Sequence, residues 1–163
     1  MEPSRLVIAA AVALAVVLCG LGFWLGEAGG PPWAALPIVI GVVGSPIVAF
    51  AVPGRRAKKV AVGGAVIAIY GLTFFAGLSS FGRAFAECIG RAEEVRVLLK
   101  EYHQTHAVYP ETLTQLQSPI PCGRMSRSTI LTYERTRDGY ALGFGDWLVQ
   151  HTASEAESFI AHK

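Results

Sequence analysis

The chain has 163 residues, 52% of them hydrophobic, and a formal net charge of +2 at neutral pH. All four histidines lie after residue 82, where nine Lys and Arg residues stand against ten Asp and Glu residues. Because this half is nearly neutral and has no basic stripe, its charge gives no reason to expect a nucleic-acid partner.

Three long apolar segments make up most of the first half. They predict transmembrane helices over residues 6–26, 34–52 and 60–81, each close to the roughly 20 residues that cross a ~30 Å hydrocarbon core. None of them contains Asp, Glu, His, Lys or Arg, whereas a transporter or proton pump usually needs such a group at membrane depth. We therefore expect an integral protein whose helices anchor it in the lipid bilayer.

Small residues recur within these segments at a spacing of four, which lets helices approach closely. The faces that they form predict packing between the segments or against a second copy of the chain, as a homo-oligomer. An Ala- and Gly-rich segment also produces such spacings by chance, so this alternative stays open. Pro37 and Pro46 should kink the second helix. The pairs are Gly22 and Gly26, Gly41 and Ser45, and Gly64 and Ala68.

The loops between the segments differ in charge, and positive loops are retained in the cytoplasm during insertion. The basic loop 53–59 and the N-terminal residues 1–5 should therefore be cytoplasmic, whereas the loop 26–33, with Glu27 as its one charge, should face outside. Three crossings would leave residues 82–163 outside the cytoplasm. The residues predicted to set this topology are Arg55, Arg56, Lys58 and Lys59.

A cleaved signal peptide is the alternative for the first segment, with Gly26-Glu27-Ala28 as a small-x-small cleavage site. Its apolar run exceeds the roughly 7–15 residues of a signal core, and we therefore favour a retained helix. Cleavage would not change the final topology of the remaining chain.

The third apolar segment is predicted to continue into the polar half as an amphipathic helix. Glu87 and Arg91 form an i,i+4 pair on its polar side. Seven residues at alternating spacings of four and three share its apolar side. They are Phe81, Phe85, Cys88, Ala92, Val95, Leu99 and Tyr102.

Three later runs have strand composition, rich in Tyr, Ile, Phe and Val. Asp138-Gly139 between the first two is a hairpin signal, and Pro110–Gln117 predicts a short helical turn. Residues 153–163 are weakly patterned and are expected to be peripheral. The predicted fold is three transmembrane helices plus an extracytoplasmic α+β module, with the long helix packed on a small antiparallel sheet. The three runs are residues 129–135, 140–144 and 147–152.

Five residues carry a family resemblance: Tyr102, Tyr109, Pro110, Leu113 and Leu116. A helix ending in Tyr, a polar turn, and then Tyr-Pro before two spaced leucines is similar to type IV pilin-like proteins, in particular the major pseudopilins of type II secretion. The resemblance covers about residues 82–152 and implies a pilin-like periplasmic module on a bacterial inner membrane. Two additional crossings precede the helix, and no acidic residue lies within its apolar part, so the resemblance does not extend to filament assembly.

Cysteine placement suggests one disulfide. Cys88 lies on the apolar stripe and Cys122 in a later loop, while Cys19 is isolated in an apolar segment. In an oxidising compartment the first two are expected to pair, which would contribute roughly 3–4 kcal/mol to stability. The alternative is a buried thiol and a loop thiol that never meet.

Catalytic and metal-binding signals are weak. His103 and His106 are candidate metal ligands, with Glu101 or His151 to complete the set, but histidines near a helix C-terminus are also favoured by the helix dipole alone. No serine has a nucleophile-elbow context, so we assign no catalytic residue and no cofactor. Four arginines form either a patch for an acidic partner or a solvated face: Arg124, Arg127, Arg135 and Arg137.

Two functions from different classes follow from these observations. The first is a non-enzymatic inner-membrane protein that presents its pilin-like module to other membrane or periplasmic proteins, in a secretion or envelope complex. The alternative is a membrane-associated enzyme or a metal-dependent sensor with a site near His103 and His106. The lack of a catalytic motif and of charge within the apolar segments favours the first.

Overall fold

The computed structural model describes residues 3–29, 35–51, 54–116, 118–146 and 148–163. These residues divide into two compact units, Met1–Ser79 and Ser80–Lys163. Some predicted features fall outside the described residues: the segment ends Ala34 and Val52, Pro53 of the basic loop, Gln117 of the short helix and Trp147 of the third strand. The helices are α1 (Pro3–Gly26), α2 (Ala35–Ala51), α3 (Arg56–His106) and a 3₁₀ turn (Leu113–Gln115); the strands are β1 (Thr132–Thr136), β2 (Gly139–Gly145), β3 (Gln150–Ser154) and β4 (Ile160–His162).

Two of the described helices are long and apolar enough to cross a membrane, by length and composition: Ile8–Gly26 within α1, and α3. Helix α2 has 17 described residues and includes Pro46 in its interior. The apolar helices agree with membrane association, and the number of crossings stays a prediction.

The small-residue faces are used partly within the first unit. Gly22 lies against Tyr70 and Thr73 of α3, and Gly26 lies against the backbone of α3 at Gly77. Gly41 of α2 lies against the ring of Tyr70. A Cβ at Gly64 would meet nothing within 4 Å, so Gly64 makes no close packing contact within the described part of the chain, and packing of this pair against a second copy stays a prediction.

The basic segment is shorter as a loop than predicted, because α3 begins at Arg56 rather than Val60. Gly54 turns the chain with φ 141°, and the carbonyl oxygen of Arg55 accepts hydrogen bonds from the N–H groups of Lys58 and Lys59 at 3.0 and 3.3 Å. The basic side chains therefore lie around the first turn of α3. In the other predicted loop, Glu27 directly follows the last residue of α1. It is fully buried and is not an exposed loop charge.

The second unit is built on a four-stranded antiparallel meander in the order β1-β2-β3-β4. Its first hairpin is closed by the pair Thr136 and Gly139, with Arg137 and Asp138 as the turn, which confirms the hairpin predicted from the Asp-Gly step. Gly139 has φ 150°, and the side chain of Glu155 covers it so closely that a Cβ would collide with the carboxylate. Glycine is therefore favoured here by its backbone conformation, since the flexible Glu155 side chain could shift.

Two strands start later than predicted. Thr129 is used instead to hold a loop, since its Oγ1 donates to the carbonyl oxygen of Pro121 at 2.9 Å and accepts from the N–H of Leu131 at 3.1 Å. The carboxylate of Asp146 accepts from the N–H groups of Leu148 and Val149 at 2.8 Å each, which makes a turn where the third strand was predicted to begin. Local side-chain hydrogen bonds compete with strand pairing at both places.

Residues 153–163 lie at the edge of the sheet and are mostly exposed, as predicted, but they contain strand structure that was not predicted. Strand β3 extends to Ser154, and Ile160–His162 form the fourth strand by pairing with β3. Three residues with no apolar alternation carry no strand signal of their own, so the partner strand decides this element.

The core of the second unit lies between α3 and the sheet. The predicted apolar stripe of α3 is confirmed, since all seven residues are buried or half-buried. Alternate residues of β2, namely Tyr140, Leu142 and Phe144, pack on it from the sheet. On the outer side Arg91 pairs with Glu87 at 2.9 Å, as predicted, and also with Glu94 at 3.0 Å.

Candidate functional site

A disulfide joins Cys88 of α3 to Cys122, 34 residues later, with the Cα atoms 5.0 Å apart. Both cysteines are fully buried, and the predicted pairing is confirmed. The N–H of Cys122 donates to the Glu87 carboxylate at 3.0 Å, and its carbonyl oxygen accepts from the N–H of Ile130 at 3.0 Å. The loop that precedes the sheet is thereby fastened to the helix by both covalent and polar contacts.

The Tyr-Pro segment begins where α3 ends. Ala107 has φ 58°, and its N–H donates to the carbonyl oxygen of His103 at 2.8 Å, the geometry of a left-handed helix cap. Tyr109 and Pro110 are then buried, and the hydroxyl of Tyr133 on β1 donates to the carbonyl oxygen of Pro110 at 2.6 Å. Leu113 and Leu116 complete the core. The residues that carry the family resemblance therefore fasten the helix end to the sheet.

The phenols near this segment are held in their neutral form. Burial, together with the adjacent Glu155 carboxylate, raises the pKa of Tyr109 to about 12. Burial also raises the pKa values of Tyr133 and Tyr140. Because the rings pack among themselves, with Tyr109 and Tyr140 edge to face at 5.0 Å, these tyrosines have a structural role.

Arg96 is a nearly buried charge that the sequence analysis did not identify. Its guanidinium donates from Nε and Nη2 to the carbonyl oxygen of Ser154, at 3.2 and 3.0 Å, and pairs with Glu93 at 2.8 Å. Burial opposes ionisation of Glu93, but the N–H of Phe159 and the Arg96 guanidinium outweigh it and lower the pKa of this carboxyl. The i,i+3 spacing of Glu93 and Arg96 beside the apolar stripe was the available signal.

The two candidate metal ligands lie against different tyrosines. His103 stacks on Tyr109 with ring centroids 4.4 Å apart, and His106 stacks on Tyr102 at 4.1 Å. The third candidate, His151, stacks on Phe144 of the sheet at 4.6 Å. Within the described ranges, no three His, Cys, Asp or Glu residues come together as a metal site. No observed geometry therefore favours the metal-dependent alternative.

The four arginines divide between two places. Arg124 and Arg127 lie in the disulfide loop, residues 121–131, where the Nε of Arg124 donates to the carbonyl oxygen of Ser128 at 2.9 Å. Arg135 and Arg137 line two shallow depressions at the β1–β2 hairpin, which also contain Glu111 and Glu155. The hairpin arginines therefore stand among carboxylates.

A groove beside the end of α3 combines apolar and polar lining residues. It has a volume of about 450 Å³. Leu98, Tyr102 and Leu116 form its apolar part, and these residues also pack on the core. The polar lining comes from Glu101, Thr105, His106, Gln115 and Ser118.

No protein family, curated protein or solved structure matches the chain.

Proposed function

We propose that this chain is a non-enzymatic inner-membrane anchor that presents a pilin-like periplasmic module to other membrane or periplasmic proteins, in a secretion or envelope complex. Two apolar helices with the length of membrane spans support the anchor. The basic segment supports the orientation, because four positive charges at one helix end are retained in the cytoplasm. The disulfide supports an oxidising compartment for the module, since such bonds persist there and are rare in the cytosol.

The groove beside the end of α3 is the observation that carries the interaction role. Protein interfaces combine an apolar, fully covered centre with a polar rim. Here Leu98, Tyr102 and Leu116 supply apolar lining, while Glu101 and Thr105 supply polar lining. The floor is rigid, because the leucines and the tyrosine pack on a core closed by a disulfide. A partner would therefore bind a preformed surface at low ordering cost.

The order of elements supports the pilin-like part of the proposal. A helix, a buried Tyr-Pro segment and an antiparallel meander follow one another, which is the order that the resemblance implies. Fold alone does not assign activity, and the proposal therefore concerns presentation of a module and not incorporation into a filament.

Site-specific photo-crosslinking in native membranes tests the proposal. A photoreactive residue at Thr105, which lines the groove, should give one discrete adduct with another envelope protein. The matched control is Gln104, which is exposed on the same helix turn but does not line the groove. A Gln115→Trp substitution, which fills the groove, should abolish the adduct, whereas Thr114→Trp outside the groove should leave it unchanged.

Two outcomes would contradict the proposed function. Equal adducts from positions 104 and 105 would mean that the groove has no role in partner binding. If the chain crosslinks to nothing at either position and purifies alone from membranes, the proposed presentation role is wrong.

A further inference from the structure

A cavity of about 250 Å³ lies within the first unit between α2 and α3. Its walls are almost entirely apolar. Pro46, Ala49 and Phe50 line it from α2, and Val60 and Gly63 line it from α3. The two helices are close at its base, because a Cβ added to Gly63 would lie 3.3 Å from the Cβ of Ala49. We call this cavity the α2–α3 groove.

Among the described residues that line the α2–α3 groove, Lys59 is the one that carries a charge. Its Nζ donates to the carbonyl oxygen of Phe50 at 3.3 Å and lies 5.6 Å from the centroid of the Phe50 ring. Phe50 belongs to the last turn of α2, where free carbonyl groups attract a cation. The ammonium is therefore fixed beside the apolar walls and does not extend freely into solvent.

Three further cations lie within four residues of Lys59. The side chains of Arg55, Arg56 and Lys58 are all exposed, and the first turn of α3 contains no acidic residue. Positive charges at a helix N-terminus oppose the helix dipole, so this arrangement is unfavourable for the helix itself. An anion bound here would offset the repulsion.

We propose that the α2–α3 groove binds one anionic phospholipid, with part of an acyl chain against Ala49, Phe50 and Val60 and the phosphate against Lys59 and its basic neighbours. Charge complementarity selects this occupant, because basic pockets between membrane helices suit acidic lipid headgroups. Apolar walls next to a cluster of cations match an amphiphile better than a free anion or a neutral lipid. The proposal rests on the membrane placement proposed above, but not on the orientation or on a protein partner.

Native mass spectrometry of the full chain in neutral detergent tests the inference. Phosphatidylglycerol and phosphatidylcholine with the same acyl chains are titrated, and the lipid-bound fraction is measured. Phosphatidylglycerol should bind at least about tenfold more tightly, because each nearby basic residue contributes about fivefold to binding of an acidic lipid.

Two pairs of variants separate the headgroup contacts from the groove. Lys59→Gln should weaken binding of phosphatidylglycerol about fivefold, whereas Lys100→Gln, an exposed lysine of the second unit, should not. Val60→Trp should block the groove and abolish tight binding. Its control is Leu72→Trp, since the side chains of Val60 and Leu72 are 74% and 70% exposed and only the former lines the groove.

Three results would overturn the inference. Equal affinity for the two lipids would remove the selection by charge. Full competition by soluble glycerol phosphate would identify a free-phosphate site instead of a lipid site. Loss of binding in Lys59→Gln with no effect of Val60→Trp would indicate diffuse attraction to headgroups. A detergent micelle does not separate two compartments, and the sample contains no protein partner. A wrong orientation or a missing partner would therefore leave this measurement unchanged.

Discussion

Arg96 connects the long helix to the end of the chain. Its guanidinium is the donor for the carbonyl oxygen of Ser154, and its partner Glu93 accepts the N–H of Phe159 at 3.0 Å. Arg96 is only 9% exposed, although the side chain of its partner Glu93 is 53% exposed. These contacts tie the end of β3 and the residue before β4 to α3.

Replacing Arg96 with Met should destabilise the second unit by about 2 kcal/mol, because the carbonyl oxygen of Ser154 would lose a charged donor. The aliphatic part of the side chain is retained, so the loss reports the polar contacts. Denaturation of the full chain, followed by near-ultraviolet circular dichroism of the tyrosines, measures the change. Arg91→Met removes an exposed pair as a control and should hardly move the midpoint. Equal effects of the two substitutions would show that burial of Arg96 has no energetic role.

Tyr109 should make stability fall at alkaline pH. Its folded-state pKa is raised to about 12 by burial and Glu155, whereas an unfolded tyrosine ionises near pH 10. The contribution of the neutral phenol is therefore complete below about pH 10 and is lost as the pH rises to about 12. Tyr109→Phe, which keeps the ring, should flatten the decline in denaturation midpoint over this interval. Parallel curves for the two proteins would mean that other groups cause the decline.

The disulfide loop shows how one element depends on another. Residues 121–131 have neither helix nor strand structure, and they are held to α3 by Cys122, by its N–H bond to Glu87 and by the bond from the N–H of Met125 to the hydroxyl of Ser80 at 3.2 Å. The covalent bond brings these weaker contacts into reach. The disulfide and these two hydrogen bonds therefore hold the loop against α3.

Removing the disulfide by Cys88→Ala and Cys122→Ala together should lower the free energy of unfolding by roughly 3–4 kcal/mol, because the unfolded chain regains the entropy of an open loop. The measurement is the denaturation midpoint with and without reductant. Cys19→Ala is the control, since Cys19 is a free, half-buried cysteine of the first unit. A midpoint insensitive to both the double substitution and the reductant would contradict the expected contribution.

The crossing of α1 and α3 depends on glycine at both contact points. A Cβ at Gly77 would collide with the carbonyl oxygen of Phe23, and one at Gly26 would collide with that of Phe74. Gly77→Ala should therefore cost about 1–3 kcal/mol, as overpacking does, and should lower the melting temperature of the full chain in detergent. Gly64→Ala, on the same helix with nothing within 4 Å, should not. Equal melting temperatures would rule out the close crossing.

For the molecule as a whole, orientation is expected to follow from the basic segment. A reporter enzyme fused after Lys163 that is active only outside the cytoplasm should be active in the wild type. Replacing Arg55, Arg56, Lys58 and Lys59 with Gln should give mixed orientations, because the retained positive charge is gone. The same exchange at Arg135 and Arg137, far from any apolar segment in sequence, serves as the control. If a reporter that is active only in the cytoplasm were active after Lys163 in the wild type, the predicted orientation would be wrong.

Elements with a strong internal pattern were predicted well. The α3 stripe from Phe81 to Tyr102 repeats with the period of a helix, and the Asp-Gly step is a local turn signal. Neighbouring residues alone therefore identify both elements. Elements that depend on distant partners were not. β4 lacks a pattern of its own, and β1 and β3 are shortened by side-chain bonds of Thr129 and Asp146.

The candidate surfaces divide in the same way. Lys59 was identified from charge, and Leu116 from the family resemblance. That they line grooves follows only from the approach of α2 to α3, or of Gln115, Leu116 and Ser118 to the end of α3. A groove is a property of two elements, so no single stretch of sequence encodes it.

By itself the sequence determined the apolar segments, the charge asymmetry, the helical stripe and the cysteines available to pair, because each depends on composition or on a short repeat. Only the tertiary structure decided that Cys88 and Cys122 meet, that Arg96 is buried against Ser154, that His103 and His106 stack on separate tyrosines, and that Gly26 meets Gly77. These are contacts between residues 34 to 58 positions apart, or choices between neighbouring faces of one helix end. Packing selects among them by shape and desolvation, which local sequence does not specify.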